Sequence, residues 1–289
     1  MKDLKIFINL TRLNRPIGYL LLFWPCSWGL AYAYSLNKNI ETFLFYIVLF
    51  FLGSVLMRSA GCIVNDIVDR KLDKKVKRTQ SRPLAANLIS VEKAFIYVLV
   101  LCGLAFCVLI QFNFLTIFLG LASMTFAFSY PFMKRITYWP QLFLGLTFNW
   151  GIIMAWAAIT DFLTVEIFLV YLAAIFWTLG YDTIYGAQDI IDDEIIGVKS
   201  TSIKFKTNPK FFVSICYSIF FLFLAVIGYL DEYNKIFFYG LFLVFIHLFY
   251  FQIKRLEINS SKICLNIFKS NNFLGFLIFM NLIIGKIFI

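Results

Sequence analysis

Two short acidic stretches hold the residues of this 289-residue chain best suited to chemistry. The first reads Asn65-Asp66-Ile67-Val68-Asp69-Arg70-Lys71-Leu72-Asp73. On a helix Asn65, Asp69 and Asp73 follow at i, i+4 and i+8 and share a face, with Asp66 one position aside. The second runs from Asp182 to Asp193, where Asp182, Tyr185, Asp189 and Asp193 follow at i, i+3, i+7 and i+11, again one helical face. Eight of the 16 acids fall here once Glu194 is counted. Asp69 and Asp73 precede Asp189 and Asp193 by the same 120 positions, which predicts two related halves whose acids face each other. Facing carboxylates suit magnesium, a hard cation that commonly links a few carboxylates to substrate phosphates. Carboxylates alone repel a phosphate. Arg70, Lys71, Lys74, Lys75, Lys77, Arg78 and Arg82 continue the first stretch, and Lys134 and Arg135 follow on the next polar loop. Metal with lysine and arginine holds a diphosphate and stabilises it as it leaves. A solvated loop needs no helical spacing twice, although the bases alone are equally explained by membrane topology.

Such residues need a scaffold, and the composition describes one. Hydrophobic residues make up 61% and charged ones 15%, against about 45–50% and about 25% in an ordinary soluble domain. Apolar runs recur along the chain, each near the ~20 residues that cross a hydrocarbon core as a helix. Candidate spans are about 17–36, 40–62, 94–112, 114–131, 140–160, 163–181, 211–230, 236–253 and 273–289. The predicted fold is all-α: a polytopic membrane protein with about nine transmembrane helices in a bundle, one domain over 1–289. Runs such as Ile219-Phe220-Phe221-Leu222-Phe223-Leu224 do not alternate in polarity, which argues against a transmembrane β-barrel.

The flanks of these spans carry a topology signal. Segments 1–16, 65–93, 132–139, 182–210 and 254–272 hold 22 Lys and Arg, whereas the intervening loops hold only Lys38 and Lys235. The first set is therefore expected on the cytoplasmic side, with the N-terminus and both acidic stretches, and an odd span count puts the C-terminus outside. The net charge of +10 is thus mainly a topology signal. Nucleic acid is excluded as a partner, because it needs a soluble basic face. Ala31-Tyr32-Ala33 after a basic start resembles a cleavage site, but the apolar stretch from Ile17 exceeds a signal peptide's core of about 7–15 residues and reads as the first span. The six cysteines show no CxxC pair or metal-ligand spacing and read as small membrane hydrophobes. His247, the only histidine, sits among Phe and Leu and reads as packing or a helix-helix hydrogen bond.

Further blocks join the acidic stretches: Arg15-Pro16-Ile17-Gly18 leading to Trp24-Pro25, and Arg58-Ser59-Ala60-Gly61-Cys62 running into Asn65. Lys77-Arg78-Thr79, Arg82-Pro83-Leu84 and Tyr130-Pro131-Phe132-Met133-Lys134-Arg135 follow, and then Asp182-Thr183-Ile184-Tyr185 on to Asp189, Asp192 and Asp193. From Arg12 to about Lys199 the chain resembles the UbiA-type family of intramembrane aromatic prenyltransferases, most closely the branch acting on 4-hydroxybenzoate in ubiquinone synthesis. Asn14 stands where the family often has Asp, Gly186 where it usually has Ala, and Ala86-Asn87 where Ser-Gly is common. None replaces an acidic ligand, so these departures bear on substrate fit more than on reaction type.

The resemblance implies transfer of a polyprenyl chain from its diphosphate to 4-hydroxybenzoate, ortho to the hydroxyl, with diphosphate released. It implies Mg2+ held by Asn65, Asp69, Asp73, Asp189 and Asp193, with Arg135, Lys134 and Arg70 assisting. Tyr130, Asp182 and Tyr185 are further substrate-binding candidates, and Arg15 is the candidate for the aromatic carboxylate. Asp66 and Asp192, off the ligand faces, are expected to orient neighbours or face solvent. Apolar helices exclude water from the allylic cation. The expected location is a bacterial inner membrane, with the active site toward the cytoplasm. Two rival readings are a prenyltransferase for another acceptor, such as a naphthoate, haem or chlorophyll precursor, and a cation-coupled transporter. The transporter would keep its essential acids near mid-membrane rather than beside lysines at helix ends.

Overall fold

A computed structural model describes residues 2–37 and 39–287. Lys38 of the charge count and residues 288–289 of the ninth expected span lie outside the described residues. The chain folds as helices α1 (Lys2–Thr11), α2 (Ile17–Asn37), α3 (Ile40–Asp73), α4 (Val91–Leu109), α5 (Phe114–Ile136), α6 (Pro140–Asn149) and α7 (Gly151–Thr160). They are followed by α8 (Val165–Gly186), α9 (Ile190–Ile196), α10 (Thr201–Lys204), α11 (Pro209–Leu230), α12 (Lys235–Phe245) and α13 (Ser261–Ile287). Eight helical stretches among the described residues are long and apolar enough to cross a membrane. The 21-residue α2, less apolar because Trp, Tyr, Ser and Pro interrupt its leucines, packs in their midst as a further long helix. The nine expected spans are thus all helical; α6 and α7 share one of them, divided at Trp150.

Burial at the centre comes from aromatic side chains. Trp28 of α2 packs on Trp177 of α8 with ring centroids 4.8 Å apart, and Phe220 of α11 stacks beside both. A Cβ on Gly29 would lie 2.4 Å from the Ile152 carbonyl, so a side chain there would force α2 and α7 apart. A polar seam crosses the same core. Trp177 donates to Asn271 Oδ1 of α13 (2.8 Å), Gln252 donates to that oxygen as well (3.1 Å), and Tyr217 of α11 donates to Gln252 Oε1 (2.7 Å). Gln252 lies in π-helical turns, Ile246–Ile253, that continue α12. With no water in a bilayer core, these groups need each other.

Three sequence expectations change in detail. The second span does not stop at residue 62: α3 runs 34 residues, ~50 Å of helix, so its last turns project beyond a hydrocarbon core and carry Asn65 to Asp73. The second acidic stretch is not one continuous helical face. After Gly186 the chain tightens into a 3₁₀ turn at Ala187–Asp189 before α9 begins, so Asp189 and Asp193 are rotated relative to Asp182 and Tyr185. Gly186 lies against Ser202, whose hydroxyl oxygen a Cβ would approach to 2.5 Å. Finally, α13 begins at Ser261 rather than near 273. Lys262, Lys269 and three Asn lower the apolarity of its first half, but both lysines are exposed and Asn271 is satisfied within the seam. His247 packs against Phe251 and Phe273 and pairs with Gln252 (3.2 Å), and the six cysteines are free, as expected.

Candidate active site

The projecting end of α3 buries its acids. Asp66 and Asp69 are each 1% exposed and Asp73 is 7% exposed. Buried carboxylates need cationic partners, and three elements supply them. Lys134 and Arg135, on the last turn of α5, both reach Asp69, the second at 3.3 Å, and Arg135 also donates to the Val68 carbonyl at 3.0 Å. Arg82, in the segment between α3 and α4, bridges Asp66 (3.1 Å) and Asp73 (2.9 Å). Arg12 follows α1 with a left-handed backbone (φ 57°) and donates to Asp66 at 2.6 Å. That conformation is strained for a side-chain-bearing residue, and the ion pair helps to hold it.

The second acidic stretch reaches the same end of the bundle. Arg78 grips Asp189 through two hydrogen bonds of 2.6 and 2.5 Å and lies over the Tyr185 ring at 5.9 Å. Partial burial opposes its charge, but Asp189 and Tyr185 raise its pKa above the ordinary arginine value, so it stays a cation. Asp193 lies within electrostatic reach of Lys134, Arg78, Asp189 and Asp192. Lys134 therefore stands between the two acidic stretches, in contact with Asp69 of one and near Asp193 of the other. Deeper in the bundle, Tyr130 of α5 is within reach of Asp182, Arg58 and Asp69.

Of the expected site residues, Asp69, Asp73, Asp189, Asp193, Tyr130, Lys134, Arg135, Asp182 and Tyr185 converge here. Asn65 lies half-buried on the same turns of α3. Arg70 points away: it is exposed and its long contact, 3.5 Å, goes back to the Ile67 carbonyl. Arg15 lines a cavity of about 980 Å³ beside the site, bounded also by Arg12, Arg78, Arg82, Tyr185 and Phe268. Of the two alternatives for Asp66, orienting neighbours or facing solvent, the second does not hold, because two arginines keep it inside. Sequence reasoning missed Arg12, and it missed Arg58, whose guanidinium lies over Phe148 at 5.3 Å. The signal for Arg58 was a lone cation inside an apolar run.

The donor chemistry bears on whether a metal fits. Every candidate ligand offers hard oxygen, and Asp193 takes no ion pair of its own among the described residues. Among those residues no three acidic, histidine or cysteine groups cluster closely enough to hold an ion by themselves. The set fits a magnesium-type ion that takes one or two carboxylates and completes its shell with substrate phosphate and water, rather than one held in an all-protein cage.

A family model described as the UbiA prenyltransferase family matches residues 22–282. The mitochondrial 4-hydroxybenzoate polyprenyltransferase of Bos taurus is 41% identical over 288 residues, covering 99% of this chain and 76% of its own. The 4-hydroxybenzoate octaprenyltransferase of Vibrio atlanticus is 41% identical over 280 residues, covering 97% of each chain. Among solved structures, a UbiA homolog from Aeropyrum pernix K1 superposes with a TM-score of 0.75 at 20% identity, over 90% of this chain and 97% of that one. A UbiA homolog from Archaeoglobus fulgidus bound to GPP and Mg2+ gives 0.71 at 17% identity, over 96% and 99%.

Proposed function

The chain belongs to the UbiA prenyltransferase family, and from that premise we propose that it is a 4-hydroxybenzoate polyprenyltransferase of ubiquinone biosynthesis, working as a single transmembrane domain. It transfers a polyprenyl group from polyprenyl diphosphate to the aromatic ring, ortho to the hydroxyl, and releases diphosphate. One observation carries the reading: acids of α3 and of the Asp189–Asp193 segment meet lysines and arginines at one end of an apolar bundle.

The residues divide the work. Lys134, Arg135 and Arg78, already gathered around Asp69 and Asp189, offer charge-assisted hydrogen bonds to a diphosphate and stabilise it as negative charge grows on departure. Asn65, Asp69, Asp73, Asp189 and Asp193 are the candidate oxygen donors, of which one or two carboxylates would hold a divalent ion, Mg2+ in this reading, that when bound would draw charge onto the leaving group. Tyr130 and Tyr185 bring aromatic rings near these charges and are the candidates to face an allylic carbon as it turns cationic, and Asp182 is close to Tyr130. The buried helix faces exclude the water that would quench that cation. Arg15, on the cavity wall, is the candidate partner of the aromatic carboxylate. Arg70, exposed on the same end of α3, is the outermost of the candidate cations for the diphosphate. The site faces the cytoplasm of a bacterial inner membrane in this reading, supported by the 22-to-2 distribution of Lys and Arg.

Purified protein incubated with defined prenyl diphosphates, 4-hydroxybenzoate and magnesium tests the reading by product mass and by diphosphate release. The expected product is 3-polyprenyl-4-hydroxybenzoate. Excess chelator is expected to abolish it and added magnesium to restore it; full turnover in chelator overturns the metal-assisted mechanism, and diphosphate release without a prenylated ring overturns the acceptor.

A further inference from the structure

The two acidic stretches are distant in sequence, and something must fix their separation. Residues 197–202 run from the end of α9 into the first turn of α10 and hydrogen-bond to α5, α6, α8 and α9. Gly197 closes α9 in a left-handed conformation (φ 75°) that favours glycine, and the next amide, Val198 N, donates to the Asp193 carbonyl at 3.0 Å. One residue on, Lys199 turns to α5. Its backbone N–H donates to the Lys134 carbonyl at 2.8 Å, and its ammonium donates to the Ile136 carbonyl at 3.2 Å. Helix ends leave such carbonyls without partners, and a cation there also complements the helix dipole. The last turn of α5 is the turn that presents Lys134 and Arg135 to Asp69. Beyond Lys199 the strap is anchored again: Thr201 N–H donates to Gln141 of α6 at 3.0 Å and Ser202 donates to the Thr183 carbonyl of α8 at 2.7 Å. Thr201 is fully buried and Ser202 nearly so.

We propose that this strap sets the distance between the two acidic faces, with Lys199 as the positioning residue that locks the last turn of α5 to the segment carrying Asp193. The connection is continuous: Asp193 to Val198, Lys199 to Lys134, Lys134 to Asp69. It rests on the reading of these acids as the diphosphate site, and it adds a residue that touches neither substrate. The ammonium does work that the backbone bond alone cannot, because two attachment points fix the direction of the helix end as well as its position.

Lys199→Met keeps the length and the backbone N–H but removes the ammonium, whereas Lys199→Arg restores a cation that can reach the same carbonyls. Spin labels at Lys71→Cys on α3 and Ile195→Cys on α9, both exposed positions, read the separation of the faces in a chain whose native cysteines are replaced, with no substrate present. The parent and Lys199→Arg are expected to share one distance distribution, and Lys199→Met to broaden or shift it. In turnover, Lys199→Met is expected to raise KM for the prenyl diphosphate about tenfold, the scale of an outer residue that orients direct ligands, while leaving KM for the aromatic acid unchanged. A Lys199→Met distribution that superimposes on the parent's overturns the proposal, as does an equal rise in both KM values. A shifted distribution in a chain whose parent transfers no prenyl group supports the positioning role and counts against the functional reading alone.

Discussion

Asp66 and Asp69, three positions apart on α3, illustrate how little burial says about role. Both are 1% exposed. Asp66 is held by Arg12 and Arg82, which also bind the chain before α2 and the segment after α3, so its charge is structural. Asp69 is held by Lys134 and Arg135 beside the second acidic stretch, and the proposed reading assigns its charge to the reaction. The two Asn variants should separate accordingly. Asp66→Asn leaves two arginines without their carboxylate and is expected to cost about 2–3 kcal/mol, less than a fully buried pair because both arginines keep some contact with water; thermal unfolding in detergent measures it. Asp69→Asn and Asp189→Asn should extract as folded protein but lose more than about a hundredfold in turnover, the loss that ~3 kcal/mol of transition-state stabilisation gives. Asp192→Asn, whose carboxylate makes no ion pair among the described residues, should lose far less. Near-normal turnover in both folded Asp69 and Asp189 variants at saturating magnesium overturns the site. Spacing made the α3 acids legible, although it ran the second stretch as one face through the 3₁₀ turn. The arginine partners were not legible, because Arg12 lies 54 residues from Asp66 and Arg78 lies 111 from Asp189, and no local pattern links them.

At the scale of elements, the sequence marked where helices lie better than where they bend or begin. Eight of the nine apolar runs became helices long and apolar enough to span, and the other became α2, among the described residues, because length and apolarity are what a bilayer selects. The 3₁₀ turn after Gly186 escaped notice, since helical spacing of acids continues on paper through a change of geometry. The early start of α13 escaped for a different reason: its polar residues look like a loop until Trp177 and Gln252 are known to meet Asn271. Close approach of helices is equally hidden in single glycines. A Cβ on Gly180 of α8 would lie 2.3 Å from the Tyr217 ring of α11, whereas one on Gly61 of α3 would meet nothing within 4 Å. Gly180→Ala should push Tyr217 off Gln252 and lower stability by about 1–3 kcal/mol. Gly61→Ala should be neutral or stabilising by up to ~1 kcal/mol, through helix propensity. Paired melting curves in one detergent decide between them, and equal melting temperatures would show that α8 and α11 can separate without cost.

The whole molecule is organised by one asymmetry of charge, 22 Lys and Arg against 2, and a second of chemistry, since the clustered acids gather at the end where those cations lie. Cysteine labelling tests the orientation: position 75 should react only from the cytoplasmic face of sealed vesicles and position 235 only from the opposite one. Reaction of position 235 from the cytoplasmic face overturns the arrangement. The three helices after residue 208 contributed little to the sequence reading, yet the polar seam ties them to the rest of the bundle. Trp177 has its hydrogen-bond partner on α13, and that partner is completed from α11 and from the π-helical turns after α12. Those helices are consequently not an exchangeable module. A chimera that took them from a relative lacking an amide at the Asn271 position would strand an indole N–H in hydrocarbon, so drift at Trp177, Tyr217, Gln252 and Asn271 has to be concerted: the last helices constrain how the helices before them can evolve.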